Sequence, residues 1–85
     1  MEFIIIPLAQ KKIKQRGISA AWIEETISKP EQTVSGYAGR TVYQRRYKAA
    51  DQKEKLLRVV CEAKEGKQIV ITAYLTSEIH RYWRK

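Results

Sequence analysis

Metal-ligating and redox-active side chains are scarce in this sequence. Cys61 is the one cysteine and His80 the one histidine. A lone thiol makes no internal disulfide, which fits a reducing compartment such as the cytoplasm. With no CxxC pair and no second imidazole, a zinc site has no donor set to draw on, and no metal or other cofactor is expected. Apolar runs are short. "FIII" near the start falls far below a bilayer span or a secretory core, so the chain reads as soluble, with no membrane segment. Negative charge is also in deficit: nine Asp and Glu stand against 17 Lys and Arg, a formal net charge of +8. Such a surface attracts polyanions, and phosphate backbones are the commonest of these. An anionic membrane or an acidic protein satisfies the same charge.

What is present is the pattern of one small domain over residues 1–85, with 44% hydrophobic residues and no repeat, linker or low-complexity tract. A chain of this size buries a single modest core. The first half reads as two helices. Pro7 suits a first helical position, Ala9 and Ile13 sit one turn apart, and Lys11, Lys12, Lys14 and Arg16 cover the other sides. Gly17 is placed for a left-handed cap. Ser19 then caps a second helix, with Ile18 and Ile23 as a hydrophobic staple and Ala20, Ile23 and Ile27 as an apolar stripe. Pro30 stops it. Glu24 and Glu25 make its outer face acidic, while Trp22 reads as packing or as part of a protein interface.

From Glu31 onward the period changes to strands. "TVSG" and "RTVYQRRYK" flank "YAG", and "LLRVVCEA" and "QIVITAYLT" flank "KEG". Each connection ends in glycine after two ordinary residues, the form of a three-residue hairpin loop. A two-residue loop at Glu65–Gly66 would force Glu65 to positive φ at a cost. With Lys64–Glu65–Gly66 as the loop, Cys61 faces Ile69 and Val59 faces Ile71. One sheet face then carries Leu57, Val59, Cys61, Ala63, Ile69, Ile71, Ala73 and Leu75, all apolar and ready for the helices. The other carries Leu56, Arg58, Val60, Glu62, Val70, Thr72, Tyr74 and Thr76, with Arg58 opposite Thr72. In "RTVYQRRYK", Val34–Val42 pairing favours one orientation and Tyr43 with Tyr47 the other. "KAADQKEK" reads as a polar connection. "SEIHRYWRK" reads as a short helix with Ile79, Tyr82 and Trp83 inward, or as a continued strand.

The candidate chemistry lies on the half-polar face. A guanidinium binds phosphate, hydroxyls orient it, and a phenol or imidazole moves a proton, so Arg58, Thr72, Tyr74 and His80 form the candidate catalytic set. Lys12, Arg16, Arg40, Arg45, Arg46 and Arg81 are candidates for holding an RNA backbone, with Tyr37, Tyr43, Tyr47, Tyr82 and Trp83 able to stack on bases. An ordinary solvated sheet face, rich in Thr and Tyr for their strand propensity, accounts for the same pattern.

"KIKQRGISAAWIEETISKP" resembles the signature of a small bacterial and archaeal family, domain of unknown function 4258. "GRTVYQRR", "LLRVVCEA" and "IVITAYLTSEIHRYW" are similar to its strands and ending. More distantly, the chain resembles BrnT-type toxins and the barnase–EndoU–colicin–RelE class of metal-independent ribonucleases. The resemblance implies an α+β fold, RNA as substrate and an acidic antitoxin as partner. On it, Arg16 matches the arginine before glycine, Arg58 the strand arginine, and Thr72 and Tyr74 the "T-x-Y". Where many members have histidine followed by alanine in the first helix, this chain has Leu8–Ala9, so it uses another group, with His80 a candidate replacement, or has lost activity.

The expectation is therefore an α+β domain in which two N-terminal helices pack on one face of a twisted antiparallel sheet of about four strands, RelE- or BrnT-like. Its expected activity is toxin-like RNA endonuclease action. A non-catalytic nucleic-acid-binding module and a protein-interaction module are the alternatives.

Overall fold

The computed structural model describes residues 3–85; Glu2, at the head of "EFIII", lies outside them. Strand β1 (Phe3–Ile5) leads into helices α1 (Pro7–Gln15) and α2 (Ala20–Ser28). Strands β2 (Gln32–Ser35), β3 (Thr41–Lys48), β4 (Glu54–Lys64) and β5 (Lys67–Thr76) follow, and a single turn of helix, α3 (Ile79–Tyr82), ends the fold. The sheet order is β1-β5-β4-β3-β2. No helix among the described residues is long and apolar enough to cross a membrane.

The helical half forms for the reasons written in its sequence. Pro7 opens α1, where its missing N–H costs nothing. At the other end Gly17 sits at φ 66°. Its N–H donates to Lys14 O at 3.1 Å and that of Ile18 to Ile13 O at 3.0 Å, the paired bonds of a Schellman cap. Ile13 and Ile18, which such a cap brings together, are both buried. Ser19 Oγ accepts from the Trp22 amide to start α2. Trp22 is packing: its ring stacks on Tyr47 at 4.3 Å between centroids.

The sheet has five strands and is mixed, where four antiparallel strands were expected. Phe3–Ile5 pairs parallel to Gln68–Val70 on the outer edge of β5. That edge would otherwise leave backbone groups unpaired, and Phe3 and Ile5 gain cover against the helical core.

The expected β4–β5 register is corrected as well. Lys64 faces Lys67, so the loop is two residues, and Glu65 (φ 52°) and Gly66 (φ 76°) are both left-handed. A turn of that hand matches the twist of the flanking strands, and this outweighs the penalty at Glu65. The pairing then slips once more at a bulge opposite Val60 and Cys61, where Cys61 faces Val70 and Val60 faces Thr72. Ile71 is the extra residue. Beyond the bulge the two slips cancel in parity. Val59 opposes Ala73 and Leu57 opposes Leu75, so the expected apolar face survives there. Next to the turn it does not: Val70 is fully buried, while Ile69 and Ile71 are only half-buried.

Both readings of β3 hold at once, because both faces of the sheet are covered. Tyr43 and Tyr47 meet the helices, while Val42 faces Val34 on the opposite side. That second face has its own fully buried residues, Leu56 and Gln44. The expected polar connection at 48–55 shrinks to 49–53, since Lys48 already pairs with Glu54.

Candidate functional site

Residues at alternate positions of three strands build the second face. β3 brings Gln44 and Arg46, β4 brings Leu56 and Arg58, and β5 brings Thr72, Tyr74 and Thr76. Arg58 stands between Gln44 on one side and Tyr74 on the other, not opposite Thr72 as a three-residue loop would place it.

The guanidinium of Arg58 is held on several sides. Its Nε donates to Gln44 Oε1 at 2.6 Å, and its Nη1 donates to the Tyr74 hydroxyl. The ring of Tyr82 lies over its Cζ at 4.1 Å and that of Tyr74 at 5.7 Å. The two rings meet edge to face at 6.3 Å. Each such cation–ring contact offsets part of the cost of desolvating the charge, by about 0.5–2 kcal/mol.

No carboxylate takes part. Three ion pairs are formed among the described residues, and none includes Arg58. Arg58 Nη2 has no hydrogen-bond partner among them, yet it is not among the buried unsatisfied atoms, so solvent reaches it. The site is thus a half-buried cation with no counter-ion and one free edge. Beside that edge stands a phenol whose oxygen is engaged by Arg58 and whose proton is free to be donated. A guanidinium held this way has the geometry and charge to accept an oxyanion.

The fixed orientation of Arg58 depends on Gln44, which sequence reasoning passed over. Gln44 is completely buried. Its Nε2 donates to Gln32 Oε1 at 3.1 Å and to Tyr82 O at 3.3 Å while its Oε1 serves Arg58. A primary amide offers two N–H donors and a carbonyl acceptor at one position, which matches these three bonds. The available signal was a glutamine in register with Val42 on an alternating strand.

The other expected site residues scatter. Thr72 Oγ1 accepts from Arg16 Nη1 at 3.2 Å, and the same nitrogen donates to Ala73 O at 2.7 Å, beyond the reach of β1 on that edge. Arg16 therefore braces β5. His80 is exposed and makes no hydrogen bond to Arg58 or Tyr74 among the described residues.

Arg45 lies on the helix side, 3.5 Å from Glu25 and bonded to Lys29 O. Arg46 shares the face of Arg58 but is engaged by Glu31 through two side-chain bonds and carries the Trp83 ring at 4.5 Å. That bonding holds the Glu31 carboxyl below its usual range and raises Arg46. Arg81 is paired with Glu78, which raises it too. Arg40, half-buried after the β2–β3 turn, and Lys12, half-buried on α1, form no ion pair among the described residues.

The C-terminal segment completes the site. Its short-helix reading holds, with Ile79, Tyr82 and Trp83 turned toward the sheet and half-buried. Arg84 is tied down by Gln32, whose Oε1 accepts from the Arg84 N–H at 3.0 Å while its Nε2 donates to the Arg84 carbonyl.

Comparison with curated proteins and with solved structures finds no match. A family model does match, over residues 9–75, a stretch that runs from α1 through β5 and includes Arg16, Gln44, Arg58, Thr72 and Tyr74. On that match, the chain belongs to the family described as domain of unknown function DUF4258.

Proposed function

We propose that this chain is a small toxin-like RNA endonuclease with a RelE- or BrnT-like plan, and that Arg58 receives the scissile phosphate. The observation that supports it most is the half-buried guanidinium with a free Nη2 and no carboxylate, in a chain of net charge +8. In this reading the 2′-hydroxyl attacks the adjacent phosphorus. Arg58 stabilises the pentavalent phosphate, and the P–O5′ bond breaks to leave a 2′,3′-cyclic phosphate and a 5′-hydroxyl. Tyr74, its oxygen already bonded to Arg58, donates its proton to the leaving oxygen. Water takes the 2′-hydroxyl proton. Lys12, Arg16 and Arg40 supply backbone contacts. The cationic α1, which has no acidic residue, suits an acidic antitoxin.

Incubating RNA with the protein in EDTA tests this. The expected result is cleavage that Arg58→Ala abolishes and Tyr74→Phe slows by about a hundredfold or more. Intact RNA with the wild type overturns it.

One observation favours a second reading. The side chains bonded to Arg58 are an amide and a phenol, and His80 is not among them. A non-catalytic RNA-binding module predicts salt-sensitive binding that survives Tyr74→Phe, with no cut.

A further inference from the structure

The face that carries Arg58 is not open. Residues after Thr76 fold back across it and set two aromatic rings on two arginines: Tyr82 on Arg58 at 4.1 Å and Trp83 on Arg46 at 4.5 Å. Both arginines are fixed at one edge, Arg58 by Gln44 and Arg46 by Glu31. Each therefore presents a planar face, and each face is occupied by a flat ring from the chain's own end.

The segment that supplies the rings is weakly held by comparison with the sheet. Its regular structure is the four residues of α3. Outside its own backbone it is anchored mainly by amide groups: Gln44 to the Tyr82 carbonyl, and Gln32 to both backbone groups of Arg84. It also carries like charge onto a like-charged face. Arg81, Arg84 and Lys85 outnumber its one acidic side chain, Glu78. A contact of this kind is favourable locally and opposed by the long-range field, so a polyanion shifts its balance.

Resting on the reading of Arg58 as a phosphate receptor, we infer that Tyr82 and Trp83 occupy the positions of two unstacked nucleobases, and that single-stranded nucleic acid binds by displacing the 78–85 segment. Selectivity for single strands follows. The bases of a duplex are stacked on one another and have no ring face to offer a guanidinium, whereas splayed bases stack on arginine planes readily.

The test uses the full chain and a short single-stranded deoxyoligonucleotide, which 2′-hydroxyl attack cannot cleave, beside its duplex. The wild type is expected to bind the single strand in preference. Tyr82→Ala/Trp83→Ala, which removes both rings, is expected to bind the single strand about tenfold tighter, with the duplex unchanged. Gln32→Ala leaves the rings in place and loosens the Arg84 anchor, and should give a smaller gain in the same direction. Equal or weaker single-strand binding in both variants, or an equal gain for the duplex, overturns the inference and leaves Arg58 as receptor standing.

Hydrogen exchange on the free protein gives an answer that needs no nucleic acid. The Trp83 and Arg84 amides should exchange far faster than the centre of β4. Exchange of all of them at one common rate overturns displacement. Failure of every form to bind either oligonucleotide at low salt removes the phosphate reading and this inference together.

Discussion

Gln44 accepts a 2.6 Å hydrogen bond from Arg58 while donating to the Tyr82 carbonyl, so one buried amide ties a strand cation to the chain's end. Gln44→Leu keeps the volume and removes every bond. It leaves Arg58 Nε without its acceptor and should cost about 1–3 kcal/mol in urea unfolding. It should also speed hydrogen exchange at Trp83. Gln44→Glu places a carboxylate against Arg58 instead, and should weaken oligonucleotide binding even if the fold holds.

Gly17 adopts φ 66° at the corner between the helices, and a Cβ there would meet nothing within 4 Å. The cost of Gly17→Ala is thus conformational alone. About 1 kcal/mol is expected, read as a lower urea midpoint at an unchanged slope.

Ile23 is fully buried at the heart of the helix layer. Ile23→Ala should cost about 2–5 kcal/mol through lost burial and the cavity left behind. A domain of this size has few kcal/mol in reserve, so thermal melting should show a large fall in Tm or a partly unfolded protein at room temperature.

The Glu31–Arg46 pair predicts a pH dependence of known sign. The hydrogen bond from Arg46 lowers the Glu31 pKa below its ordinary value of 4.5. A depressed carboxyl stabilises the fold above its unfolded pKa, and that stability is lost as pH falls through the folded value. Both side chains are partly exposed, so solvent screening keeps the effect small. Glu31→Gln should melt below the wild type near neutral pH, and the two Tm curves should converge as pH drops well under 4.5.

Burial pushes the Cys61 thiol from 9.0 up to about 12. The native protein should therefore resist thiol reagents near neutral pH. Labelling should proceed at the rate of structural opening and accelerate with urea. Rapid labelling in native buffer would show that β4 is not packed as described.

The helical half was legible because its signals are local. Pro7, Gly17, Ser19 and Pro30 each act within a few residues, and both helices lie where those residues put them. The β4–β5 face was legible in part, since the alternation from Leu57 to Val59 and from Ala73 to Leu75 survives a double slip. The slip itself was not readable. It depends on turn hand outweighing local strain at Glu65 and on a bulge whose extra residue, Ile71, looks like any other apolar strand residue. Whether "FIII" pairs as a strand was not readable, because three residues carry no period and their partner lies far along the chain. At the site, the Arg58–Tyr74 neighbourhood followed from strand parity. Gln44 and Tyr82 did not, because their roles come from a tertiary fold-back with no periodicity to mark it.

The parallel pairing of Phe3 with Gln68 sets an order of assembly. During synthesis, β1 leaves the ribosome well before β5 and must wait for it before it finds its neighbour. The hairpins from β2 to β5 can zip up through nearby residues, and the N-terminal strand then joins a scaffold already made. A refolding experiment should see that edge lock in late, behind the rest of the sheet.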